Sequence, residues 1–149
     1  MKNFDHSESF ILFELAGNTC GLRSRAVQSV EMVDHVTSVP NTAPFVEGIT
    51  FTRGQVIPSI NLRIRFGFPE GPADPRARML VIRPKGRTAG ILVDRVREFV
   101  SIPANSIRVP GNVDQVGKGG LIDRFVEGIA TLGKRVVLIL NLDEVLTKN

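Results

Sequence analysis

Tryptophan and tyrosine are absent from these 149 residues, histidine occurs twice and cysteine once. Each scarcity excludes chemistry. No CxxC or HExxH spacing exists to hold a metal, and no GxSxG nucleophile elbow occurs. The single Cys20 has neither a disulfide partner nor a sequence-marked base. Its place in the strand-like TCGL reads as a buried structural thiol, which suits a reducing cytoplasm. The longest strictly aliphatic run, Val136–Leu140, falls far short of the ~20 residues that span a bilayer. The opening MKNFDHSESF lacks the apolar stretch of a secretory signal. His6 and His35 are the only imidazoles, and His6 sits in that leader. The acidic neighbours Asp143-Glu144 and Asp94 with Glu98 read as helix-end and strand-surface charges. The GKGG at 117–120 lacks the earlier glycine and the Lys-Ser/Thr pair of a phosphate loop, so it reads as a loop.

What remains is ample for a core. Apolar residues make up 42% of the chain and phenylalanine contributes nine of them, so Phe, Leu, Ile and Val are the large anchors and wholesale disorder is excluded. The formal net charge is +4, and the densest cationic stretch is Arg76, Arg78, Arg83, Lys85 and Arg87. That window holds no acidic residue, which raises nucleic acid as a partner. It also holds no aromatic on which a base stacks, which favours a solvated basic strand and turn.

The main organising fact is a repeat. FVEGI stands at residues 45–49 and again at 125–129. Sliding 45–66 onto 125–146 without a gap also matches Val56 with Val136, Asn61 with Asn141 and Leu62 with Leu142, making 8 identities in 22 positions at an offset of 80. Upstream, Gly21, Val27 and Val30 find counterparts at Gly90, Val96 and Phe99, at an offset of 69. One internal duplication accounts for both, and two copies are too few for a solenoid.

Short β-rich runs bounded by Gly, Pro, Asn or Asp dominate: 9–16, 19–23, 27–33, 48–52, 55–60, 79–83, 88–94, 96–102, 125–131 and 135–140. Such spacing predicts an all-β chain of small barrels or sandwiches. Gly17-Asn18, Arg53-Gly54 and Gly133-Lys134 mark hairpin turns. Short helices are expected over Asn61–Gly67 and Asn141–Lys148, each entered from a capping Asn. The proline-rich GFPEGPADPR, residues 67–76, is expected to divide a single domain of residues 1–149 into halves 9–68 and 77–148. Each half alone would bury a marginal core, and packing them together makes a groove.

Five stretches, in order, resemble the CheW family of chemotaxis coupling proteins: FILFELAGNTCGLRSRAVQSV, FVEGITFTRGQVIPSINLRIRFG, RMLVIRP, TAGILVDRVREFVSIP and FVEGIATLGKRVVLILNLDEVL. They cover Phe10 to Leu146. The resemblance implies two SH3-like five-stranded β-barrels around a hydrophobic groove. It also implies a cytoplasmic, non-catalytic adaptor, free of metal and cofactor and not inserted in the membrane. Such an adaptor ties chemoreceptor cytoplasmic tips to the regulatory domain of a CheA-type histidine kinase, in rings that other CheW-like proteins join. Val27, Val30, Ile91 and Val93 match the family's apolar groove positions, and Arg53-Gly54 matches its Arg-Gly signature beside that groove. The competing readings are ordinary core for the four apolar residues and a solvated turn for Arg53. A basic barrel that binds nucleic acid is the alternative function. The chain departs from the family at Phe51-Thr52, where Asn-Leu is usual, at Ser29, where Glu is frequent, and at Asn61, where Asp is. These departures imply a specialised receptor or kinase partner.

Overall fold

A computed structural model describes residues 7–33, 35–109 and 124–147. The GKGG stretch, His6 and Lys148 lie outside them. Among the described residues eleven strands run β1 Ser7–Leu15, β2 Asn18–Arg23, β3 Val27–Met32, β4 Val46–Thr52, β5 Gln55–Asn61, β6 Arg78–Ile82, β7 Ala89–Val93, β8 Arg95–Pro103, β9 Ile107–Arg108, β10 Val126–Leu132 and β11 Arg135–Leu140. The two helices that follow the capping asparagines, α1 Leu62–Arg65 and α2 Leu142–Val145, are single turns, shorter than the sequence predicts. Both start as expected, because Asn61 Oδ1 accepts from the Ile64 amide and Asn141 Oδ1 from the Glu144 amide, each at 3.2 Å.

The strands form a six-stranded sheet, β8-β1-β2-β11-β10-β9, and a five-stranded sheet, β3-β6-β7-β5-β4. The offsets of 69 and 80 map β6, β7 and β8 onto β1, β2 and β3, and β10 and β11 onto β4 and β5. Pairing follows the same map. Ile139 pairs with Gly21 across the parallel β11–β2 ladder, and its counterpart Ser59 pairs with Gly90 across the parallel β5–β7 ladder. The sheets therefore do not coincide with the sequence halves 9–68 and 77–148. Strands β1 and β2 of the first copy complete the sheet of the second, and β6 and β7 of the second complete the sheet of the first. The cause is connection length. Only Asp94 separates β7 from β8, and a single residue cannot close a two-residue hairpin, so the chain crosses to the other sheet. The turn Ser24–Ala26 makes the equivalent crossing after β2.

Burial follows this exchange. A central cluster draws Ile11, Phe13 and Leu22 from one sheet, Leu80, Ile82 and Ile91 from the other, and Leu62, Phe66 and Val145 from the helices and their ends. Smaller clusters fill each barrel: Phe10, Leu12, Val137 and Ile139 in one, Ile57, Met79 and Val81 in the other. Alternate residues of β1 and β6 thus face two different cores. This is why FILF and MLVI are continuous apolar runs.

The repeated FVEGI is the closing strand of each barrel. Its Phe carbonyl accepts from the amide of the helix-capping Asn, at 2.7 Å for Phe45 and 2.8 Å for Phe125. A bulge follows the Val in both copies. Past it, the chain that continues beyond β3 or β8 crosses close over the Gly: a Cβ on Gly48 would lie 2.1 Å from the Thr37 carbonyl oxygen, and one on Gly128 would lie 2.6 Å from an Ile107 methyl. The following Ile then pairs with the crossing chain, Ile49 with Thr37 and Ile129 with Arg108.

Candidate functional site

The expected groove residues separate by depth. In β3, Val30 pairs with Leu80, which pairs with Ile91, which pairs with Ile60. Along this row Leu80 and Ile91 are fully buried, whereas Val30, on the edge strand, is 38% exposed. Val27 is partly buried and packs against the central cluster. Ile91 and Val93 are core residues, with Val93 only 2% exposed. As exposed contact residues they are corrected to core: β7 is an interior strand with the second sheet against it, and of this row only Val30 reaches the surface. Alternating apolar letters do not distinguish an interior strand from an edge strand.

Arg53 and Gly54 form the tip of the β4–β5 hairpin, both in the left-handed region at φ 51° and 79°. The Arg53 Nε donates to Glu31 Oε2 at 3.0 Å, joining the hairpin tip to the end of β3. That hydrogen bond, and a second from Ser29, hold the Glu31 carboxyl below its ordinary range. Ser29 stands where the resemblance leads one to expect Glu, and the carboxylate facing Arg53 comes from two residues further on. Asn61 also has a local reason: its amide donates to Glu47 Oε1 at 2.9 Å while its oxygen caps α1. An Asp there would set two carboxylates against each other.

Sequence reasoning missed the apolar surface around the tip. Phe51, 69% exposed, stands directly opposite Val56, 53% exposed, and Met32 and Val33 are exposed at the end of β3. Phe51 was visible only as a departure from the family pattern. Phe99, the counterpart of Val30, is also exposed on edge strand β8.

Asp94, Glu98, Glu144 and Cys20, candidates for chemistry in the sequence, are engaged in structure. Asp94 takes a two-pronged contact from Arg63 and a 2.8 Å hydrogen bond from the Ala16 amide. Glu98 pairs with Arg135 and Glu144 with Arg124. The Cys20 thiol is pushed up to about 12, chiefly by burial and then by Asp94, so it stays protonated at neutral pH. Among the described residues no group of His, Cys, Asp and Glu is arranged to hold a metal ion, and no helix is long and apolar enough to cross a membrane. The basic window is partly committed as well. Arg76 pairs with Asp74, Arg78 donates to the Pro75 and Ala77 carbonyls, and Arg83 donates to Thr88. Lys85 and Arg87 are exposed at and beside the β6–β7 turn, with no ion pair among the described residues.

The family model described as a CheW-like domain matches residues 9–149. The chain is 29% identical over 140 residues to a chemotaxis protein CheW of Klebsiella aerogenes, covering 94% of this chain and 82% of the relative. A Helicobacter pylori chemotaxis protein CheW is 32% identical over 114 residues, covering 76% and 66%. Among solved structures, the scaffolding protein TtCheW of Thermoanaerobacter tengcongensis superposes with a TM-score of 0.84 at 32% identity, covering 95% of this chain and 94% of that one.

Proposed function

Because the chain belongs to the CheW family, we propose that it is a chemotaxis adaptor, a non-catalytic scaffold that couples chemoreceptor cytoplasmic tips to the regulatory domain of a CheA-type histidine kinase. The observation that carries this reading is the likeness to a scaffolding protein across both barrels, with 94% of that chain covered. Asp94, Glu98 and Glu144 are held in ion pairs, which agrees with a protein that binds rather than reacts.

The receptor surface in this proposal is the outer edge of the five-stranded sheet. Val30 and Val27 receive the apolar stripe of an amphipathic helix, with Ile91 and Val93 supporting the floor from beneath. Arg53, raised on its turn by Gly54, offers a planar guanidinium at the rim, where a lysine would not reproduce bidentate contacts. The protein works in the cytoplasm and is drawn to receptor arrays, where other CheW-like chains share its rings.

Co-purification from the native cell tests the proposal. A histidine kinase and a chemoreceptor are expected to come down together with the tagged protein. Recovery of nucleic acid in their place, with a steep loss on raising salt, would move the assignment to a basic nucleic-acid-binding barrel.

A further inference from the structure

The duplication sets two equivalent positions against the central core, and among the described residues only one of them is covered. Against the six-stranded sheet, Cys20, Leu138 and Leu140 of β2 and β11 are buried together with Phe66, which follows α1. Phe68, in the segment after α1, packs on that core with its ring 6.4 Å from Phe66. The segment is strapped down, with the Phe68 amide donating to the Arg63 carbonyl at 2.8 Å and Arg63 donating to the Pro69 carbonyl at 3.1 Å.

By the same offsets the counterparts are Ala89, Pro58, Ile60 and Leu146. Here the position is a cleft of about 620 Å³ between β5, the β6–β7 turn and the end of α2. Pro58 is exposed, and Ala89 and Leu146 are only partly buried. The residue aligned with Phe68 is Lys148, which is not apolar and lies outside the described residues.

The rim carries a charge. Lys85 and Arg87 line the cleft, and an adjoining hollow of about 390 Å³ adds Arg25 and Arg83. Asp143 is the one acidic residue in either lining. Arg25 pairs with Glu8 and Arg83 bonds Thr88, leaving Lys85 and Arg87 without an ion pair among the described residues.

We propose that this cleft docks an acidic segment of a partner protein, which inserts one aromatic side chain where the other half of the molecule places its own Phe68. The apolar floor supplies the energy of burying the ring. The cations select a negatively charged segment and speed its arrival. The inference rests on the duplication and on charge complementarity, and stands apart from the adaptor reading and its Val30–Arg53 surface.

The test is a nuclear magnetic resonance titration of the full chain with a capped peptide Asp-Glu-Gly-Phe-Pro-Glu-Asp. Saturable amide shifts centred on Ile60, Ala89 and Leu146 are expected. Replacing the peptide's Phe by Ala is expected to weaken binding about tenfold. Reversing Lys85 and Arg87 together, Lys85→Glu with Arg87→Glu, is expected to weaken it about tenfold as well, with an unchanged thermal melt because both side chains are exposed. The proposal is overturned by the absence of saturable shifts, by equal binding of the Ala peptide, or by shifts centred on Val30 and Arg53. It is equally overturned if the cleft resonances move with protein concentration alone, which would make the occupant a second copy.

Discussion

At the scale of single residues, Arg53 and Glu31 show how a hairpin tip is joined to a neighbouring strand with little effect on the stability of the fold. Their ion pair is largely in water on the arginine side, with the two side chains 75% and 15% exposed, and such pairs contribute about 0–1 kcal/mol. Arg53→Glu is therefore expected to remain folded, while receptor-dependent kinase activation collapses; full activation by this variant would reduce Arg53 to a solubility residue. Val30→Arg carries the companion prediction. At the edge of its row the new side chain reaches water, so the melt should stay close to the parent while receptor-tip binding falls. A large loss of stability would assign Val30 to the core, and undiminished binding would remove it from the contact surface. The pair also has a titration signature. The Glu31 carboxyl is lowered in the folded protein, so its contribution is present above the unfolded carboxyl range and lost as pH falls through the folded value. Removing the guanidinium with Arg53→Ala should move the Glu31 titration, followed by carboxyl carbon shifts, upward towards an ordinary glutamate.

At the scale of elements, turns decide what each hairpin tolerates. Ala16-Gly17, Arg53-Gly54 and Lys85-Gly86 are all left-handed pairs, with φ near 50° at the first residue and 79° to 85° at the second. This is the geometry of a two-residue hairpin turn that prefers Asn-Gly, and a β-carbon pays for it at the first position. Ala16→Asn should therefore raise stability by about 0.5–1 kcal/mol, read as a higher denaturant midpoint at constant slope; an unchanged or lower midpoint would show that the turn is not limiting. Turn chemistry of this kind is written locally, which is why most strands were legible from glycine, proline and asparagine punctuation. What was not legible has physical causes. Gly48 reads as the start of a strand, although β4 begins at Val46, because a glycine at a bulge looks like a glycine at a boundary. Strand β9 is two residues long and exists only because it pairs with β10. The helices look longer in sequence than they are, because Phe66 and Leu146, just past their ends, continue an apolar pattern whose role is packing on the central cluster. The partition of Val30 from Ile91 was hidden for the same reason, since depth depends on which strand lies at a sheet edge.

At the scale of the whole molecule, the two copies are tied together by exchange and by one buried cation. Arg65 is only 6% exposed. Its Nε donates to the Val145 carbonyl at 2.8 Å, and its Nη2 donates to the carbonyls of Glu144 and Thr147. Its guanidinium lies 4.1 Å from the Phe45 ring centroid and 4.9 Å from that of Phe125, the first residues of the two FVEGI words. The first copy thus satisfies the open carbonyl end of the second copy's helix. Arg65→Ala leaves those carbonyls without their donor and opens a void between two phenylalanines, so a loss of about 2–4 kcal/mol is expected in denaturant unfolding. A loss under about 0.5 kcal/mol would mean that water replaces the guanidinium freely. The exchange of strands leads to a stronger expectation for the separated copies. Residues 1–76 contain five strands, yet β1 and β2 cannot fold back onto β3–β5, because the Ser24–Ala26 turn directs the chain out of one sheet and into the other. Their edges would remain without the strands that pair with them, β8 and β11. Produced alone, residues 1–76 and 77–149 should each fail to give a cooperatively unfolding monomer, and mixing them in equal amounts should restore a one-to-one complex with the strand content of the intact chain. Circular dichroism and size-exclusion chromatography of the fragments, separate and mixed, decide the matter, and a folded monomer of residues 1–76 would show that the copies are independent barrels after all.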